Sequence, residues 1–195
     1  MAQKQEPEYT IDEYWKLVET FPHHKYEFVD GFIRMLSGGS PAHSQIAVNI
    51  STLLNIALRS SECNVYSSDV VLQLADRHSY LPDVSVSCDP MDRTQKKAIK
   101  APIMVVEVLS PSTERVDRTE KLRVYQRYPT IQEILLVDSR QIYVEHHHRI
   151  NSHKWEVSFY NGEDDTIKLT SIGVSMTVRD VYLKVYLELE EIEEE

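Results

Sequence analysis

With 195 residues, 42% of them hydrophobic, the chain suits one compact core and has the composition of an ordinary globular protein. No apolar run approaches the roughly 20 residues of a membrane span, and the opening MAQKQEPEYT lacks the hydrophobic stretch of a signal peptide. The net charge of −10 argues against a nucleic-acid partner only until its distribution is read: residues 188–195 hold six glutamates, whereas residues 93–127 hold nine Lys or Arg against four Asp or Glu.

Residues 1–8 are polar and expected to fray, as is the acidic tail 188–195. Thr10 with Glu13 three residues on is a capping box, which predicts a short helix to about residue 19, ended by Pro22. Residues 26–29 and 32–36 flank Asp30-Gly31, a pair that predicts a tight hairpin because glycine accepts positive φ. Ser40 is placed to cap, and Pro41 to open, a helix to about residue 58 in which Ile46, Ile50, Leu53, Leu54 and Ala57 keep helical spacing. Strands are predicted over 65–74, 81–86 and 103–109. The last is a continuous apolar run broken by one charge, Glu107, the pattern of a central strand buried on both faces.

Ser110-Pro111-Ser112-Thr113 ends that strand, and a charged amphipathic helix follows over 114–128, stopped by Pro129. A strand over 132–137 ends at Asp138. Further strands are read over 143–147, 155–160, 166–169 and 174–176, with Asn161-Gly162 as a hairpin turn between two of them and 178–187 as a closing helix. The order describes a single α/β domain with a mixed sheet flanked by helices. In His146-His147-His148 only the outer two share a strand face, so the run reads as a surface edge or an incidental run rather than a metal cluster. His23-His24 has no evident partner. Cys63 and Cys88 are too few for a disulfide framework or a Cys-rich zinc site. They read as buried or inert thiols of a reducing, cytoplasmic compartment.

Glu107 demands a physical reason, since an ionised carboxylate in a core strand costs several kcal/mol unless a charge or metal offsets it. Asp83 follows Pro82 near the start of a predicted strand. Two acids on adjacent strands can converge on Mg²⁺, which takes oxygen ligands and keeps several waters. Such an ion polarises a phosphoryl oxygen and lowers the pKa of a bound water, which a nearby lysine could orient or deprotonate. Lys121 is the candidate: Asp117, Lys121 and Tyr125 recur at i, i+4 and i+8, so they share a helix face that can look back toward Glu107. The same spacing also fits a plain surface pair between Asp117 and Lys121, worth a few tenths of a kcal/mol.

Glu27 within Tyr26-Glu27-Phe28-Val29-Asp30-Gly31, Pro82-Asp83, Glu107-Val108-Leu109-Ser110-Pro111-Ser112-Thr113, and Asp117…Lys121…Tyr125 together resemble the Uma-type restriction endonucleases, a branch of the PD-(D/E)XK nuclease superfamily. The resemblance covers nearly the whole chain, about residues 9–186. It implies a restriction-endonuclease-like core with extra C-terminal strands. It further implies Mg²⁺ (Mn²⁺ substituting) held by Asp83, Glu107 and the Val108 carbonyl, Glu27 as a helper acid, and DNA as substrate. The superfamily lysine stands two residues after the glutamate, where this chain has Leu109; in this branch its place is taken by Lys121. His43 resembles a histidine the family often carries at the start of the second helix. Analogy with nucleases that cut both strands allows a homodimer. Two other readings stand beside this one: a nuclease fold retired to a binding module, which the acidic charge suggests, and a metal hydrolase of another phosphoester.

Overall fold

The computed structural model describes residues 8–187, so the tail predictions for 1–7 and 188–195 lie outside the described residues; Glu8 itself is ion-paired to Arg77. Helix α1 (Ile11–Thr20) starts at the predicted capping box, with Thr10 and Glu13 each satisfying a backbone N–H of the other. β1 (Tyr26–Val29) and β2 (Phe32–Met35) form the predicted hairpin, with Asp30 at φ 49° and Gly31 at φ 90° as its two turn residues. Its register sets Glu27 directly opposite Arg34. α2 (Pro41–Leu58) is capped by the Ser40 hydroxyl, which accepts the His43 N–H.

The remaining strands in chain order are β3 (Asn64–Ser67), β4 (Val71–Ala75), β5 (His78–Tyr80), β6 (Val84–Ser87), β7 (Ala98–Ile99), β8 (Pro102–Leu109), β9 (Glu133–Asp138), β10 (Val144–Asn151), β11 (Lys154–Tyr160), β12 (Thr166–Leu169) and β13 (Val174–Thr177). Between β8 and β9 runs one helix, α3, made of Glu114–Val116, a π-helical segment Asp117–Lys121, and Leu122–Arg127. A short α4 (Val178–Val181) follows β13. The main sheet has the order β11-β10-β9-β8-β6-β3, with β8 and β9 parallel and the other neighbours antiparallel. A second sheet has the order β2-β1-β5-β4-β7, and β12 pairs with β13. The mixed α/β class and the central place of β8 are as predicted.

β8 is the wall between two cores. Met104, Val106 and Val108 pack on one side with Ile46, Ile50 and Leu54 of α2. Val105 and Leu109 pack on the other with Tyr125 of α3 and with Leu72 and Tyr80 of the second sheet. Alternation therefore sends Glu107 to the α3 side. Full burial of an aliphatic side chain stabilises by about 1.5–3 kcal/mol. The five buried apolar side chains of β8 thus outweigh the several kcal/mol that one buried carboxylate costs.

Elsewhere the structure corrects the sequence reading. The single strand predicted over 65–74 is two, β3 and β4, placed in different sheets by a turn in which Val70 N–H bonds the Ser67 carbonyl. Asn161-Gly162 does not join a hairpin, because β11 and β12 belong to different sheets; Asp165 instead accepts both N–H groups. The closing helix ends after one turn, at Val181, and Lys184 turns to φ 58°. The three histidines lie on an interior strand, not a surface edge: His146 and His147 are buried. His146 and His148 bond Glu133, and His147 bonds Glu145. Cys63 and Cys88 are not inert thiols but a disulfide. The β3–β6 register pairs Asn64 with Ser87, so the residue outside each falls opposite the other. Register, which the 25-residue spacing does not reveal, brings them together, and the cysteine argument for a reducing compartment lapses with it.

Candidate active site

Four elements converge at the C-terminal end of β8. The β6–β8 register runs Val84 opposite Val106, so Asp83, one residue before β6, falls beside Glu107. The Asp83 carboxylate accepts the Val108 N–H at 2.7 Å and faces His43 Nε2 at 3.3 Å, which fixes it from β8 and from the first turn of α2. The hydrogen bond to Asp83 raises the His43 pKa, with burial opposing.

α3 supplies the cation. Lys121 Nζ lies 2.9 Å from Glu27 Oε1, 3.2 Å from Glu107 Oε1 and 3.2 Å from Asp117 Oδ1. The π-helical segment spans Asp117 to Lys121 and buries both; such wide turns recur at functional positions. Tyr125, one turn on, donates its hydroxyl to Glu107 Oε1 at 2.5 Å. Glu27, fully buried, also accepts the Leu81 N–H. Burial pushes the Glu107 carboxyl well above its usual range, Lys121 working against that and the other acids with it. For Lys121 burial acts downward, but Glu107, Glu27 and Asp117 prevail and hold the ammonium well above its usual value. Burial likewise raises the Tyr125 phenol, so it is a hydrogen-bond donor.

A cavity of about 230 Å³ opens over this cluster. Six of the eight residues singled out in the sequence line it: His43, Asp83, Glu107, Val108, Asp117 and Lys121. Glu27 and Tyr125 stand behind, bonded to Lys121 and Glu107. The sequence reading missed Arg34, which lines the same cavity 3.7 Å from Glu27 and pairs with Glu120. The Asp30-Gly31 turn could have found it, since a two-residue hairpin loop places 27 opposite 34. It also missed the hydroxyls of Ser110, Ser112 and Thr113 on the cavity wall. The basic stretch 93–127 does not form one free strip: Arg93, Lys97, Arg118 and Lys121 are each engaged by carboxylates.

The family model of Uma2, described as "Putative restriction endonuclease", matches residues 11–179. The chain belongs to the Uma2 family. Two uncharacterized proteins of Synechocystis sp. are similar along most of their length. One is 41% identical over 81% of this chain and 83% of its own. The other is 31% identical over 77% and 86%. The crystal structure of a "putative nuclease belonging to DUF820" from Anabaena variabilis superposes with a TM-score of 0.71, covering 89% of this chain and 97% of that one. At 21% identity that likeness speaks for the fold, which is restriction-endonuclease-like, as the sequence implied. Within the Uma2 chain no helix among the described residues is long and apolar enough to cross a membrane.

Proposed function

We propose that this Uma2 protein is a Mg²⁺-dependent endonuclease that hydrolyses phosphodiester bonds of DNA, with Mn²⁺ able to substitute. One observation carries the reading: three carboxylates lie within 3.2 Å of one ammonium, that of Lys121, beneath an open cavity that Asp83 also lines. Perturbed, buried titratable groups in a cleft are what catalysis uses. The family's description and the description of the Anabaena neighbour as a nuclease point the same way.

The residues present fit a hard divalent cation. Among the described residues no three His, Cys, Asp or Glu side chains form a closed metal site. Mg²⁺ needs less, since it binds through one or two carboxylates and keeps its waters. Asp83, Glu107 and the Val108 carbonyl would hold it. Glu27 Oε2 and Asp117 Oδ1 are buried and accept no well-directed hydrogen bond, meeting only the charges of Arg34 at 3.7 Å and Lys121 at 3.2 Å, so three carboxylates share one buried ammonium. Bound there, the ion supplies Lewis acidity toward a phosphoryl oxygen and lowers the pKa of a water. Lys121 donates N–H bonds that orient the attacking water and offset charge building on the phosphate. Tyr125 and the Val108 amide hold the two principal carboxylates still, so little reorganisation accompanies the reaction. Arg34, half exposed at the rim, presents a guanidinium suited to a phosphate oxygen.

Cleavage of supercoiled plasmid with Mg²⁺ or Mn²⁺ tests this. Asp83→Ala and Lys121→Ala are each expected to lose at least about 100-fold in rate, the scale of removing one preorganised group that stabilises the transition state. Equal activity in wild type and both variants would sink the proposal. Calorimetric titration showing no binding at millimolar metal would favour a nuclease fold that serves as a binding module. Turnover of small phosphodiesters without cleavage of DNA would move the substrate assignment.

A further inference from the structure

The fold divides the basic stretch 93–127 in two. Arg93, Lys97, Arg118 and Lys121 are neutralised by carboxylates of the chain. The other cations of the stretch are Lys96, Lys100, Arg115, Arg123 and Arg127. All of these are exposed, and none has an ion pair among the described residues.

Four of these free cations line two adjoining cavities. Arg123 and Arg127 stand on one of about 370 Å³ between α3 and the β4–β5 hairpin, beside Leu74 and Tyr128. Lys96 and Lys100 stand on another of about 420 Å³, beside Gln73, Thr94 and Gln95. Gln73 and Leu74 are neighbours on β4, and the Tyr128 hydroxyl donates to the Lys100 carbonyl at 2.7 Å, so the second cavity continues the first. At the other end, Glu120 lines the first cavity and pairs with Arg34, which lines the candidate active site. The two acids along the way do not cancel the belt, because Arg34 holds Glu120 and Arg77 holds Asp30.

We propose that the belt from Arg123 and Arg127 to Lys100 and Lys96 holds the phosphate backbone of DNA on one side of the scissile bond. This rests on the endonuclease reading above. Three features select a polyphosphate strand. The cations are strung out from the site instead of converging on one point, as a single small anion would require. Arg123 and Arg127 are separated by about 6 Å of helix rise, close to two phosphate steps of about 3.4 Å along one strand. Guanidinium forks match phosphate oxygens, and the amides and hydroxyl of Gln73, Gln95 and Thr94 are neutral donors of the kind that grip backbone without reading sequence. On a chain of net charge −10, attraction of a polyanion has to come from such a local concentration of positive charge.

Fluorescence anisotropy of a short labelled duplex, in EDTA so that nothing is cut, tests the belt apart from the chemistry. Wild type is expected to bind with an affinity that falls steeply with salt. Arg123→Gln with Arg127→Gln, and separately Lys96→Gln with Lys100→Gln, should each reduce the slope of log K against log salt by about 1.8, the counterions released by two phosphates. Lys168→Gln with Lys184→Gln removes the same charge from exposed positions on the α2 side of the main sheet, and should leave the slope unchanged. No binding by wild type, a wild-type slope in both belt variants, or an equal fall in the control variant would overturn the proposal. Binding that depends on the belt without cleavage in Mg²⁺ would keep the belt and remove the endonuclease. Cleavage with binding indifferent to both belt pairs would do the reverse.

Discussion

Asp83 has two tasks that one substitution would confuse. Its carboxylate is a candidate ligand, and it also satisfies the Val108 N–H at 2.7 Å. Asparagine keeps an acceptor and drops the charge, whereas alanine orphans a buried amide. Asp83→Asn and Asp83→Ala are therefore expected to be equally inactive in plasmid cleavage. Urea denaturation should find the alanine variant less stable than the asparagine one by about 1 kcal/mol. Tyr125→Phe removes a donor from a buried carboxylate. A stability loss of about 1.5–3 kcal/mol is expected, the range for hydrogen bonds to charged groups. Of the site, Glu107 was legible because a charge interrupts an apolar run, and Lys121 because the i+4 and i+8 spacing survives in α3. Asp83 beside Glu107 was legible only as two acids on neighbouring strands, since the register joining them is tertiary. Glu27 rested on resemblance, and its burial against Lys121 is a finding of the structure.

Elements with local causes were legible to within a residue or two: the Thr10–Glu13 box, the Asp30-Gly31 turn and the Ser40–Pro41 helix start. Each is a backbone bond satisfied by a near neighbour in sequence. Thr10→Ala should accordingly lower stability by about 1 kcal/mol in thermal or chemical melts and leave the site untouched. What failed depends on distant partners. The break between β3 and β4, the separation of β11 from β12, and the Cys63–Cys88 pairing are decided by which sheet each strand joins. Local residue chemistry carries no record of that choice. The π-helical segment of α3 is of the same kind: its sequence is that of an ordinary amphipathic helix, and the wide turn arises where Asp117 and Lys121 are drawn into the buried cluster.

Acid should unfold the whole molecule partly through one buried acid on β9. Burial works against ionisation of Glu133, but hydrogen bonds from His146 and the Ser171 N–H hold its pKa below the ordinary value. A folded-state pKa that is depressed contributes stability above the unfolded value of about 4.5, and loses it as pH falls through the folded value. Stability measured by urea titration should therefore decline below about pH 4.5, and Glu133→Gln should flatten that decline. A reductant acts at the same scale. The disulfide closes a 25-residue loop, which in the chain-entropy model stabilises by about 3.5 kcal/mol, so dithiothreitol is expected to lower the urea midpoint of wild type.

β8 would be a better folding element without its glutamate. Lys121→Met alone strands three buried carboxylates and should cost about 3–5 kcal/mol. Changing Glu27→Leu, Glu107→Leu, Asp117→Leu, Lys121→Met and Tyr125→Phe together swaps the whole cluster for oil. By the same physics the result should match or exceed wild type in urea, by up to about 4 kcal/mol, while cutting nothing. The architecture thus owes the charges little beyond the Leu81 N–H that Glu27 satisfies. They sit in the partition between two hydrophobic interiors as a burden that folding alone would shed, and keeping all of them is what the proposed cleavage, rather than the demands of holding together, would require.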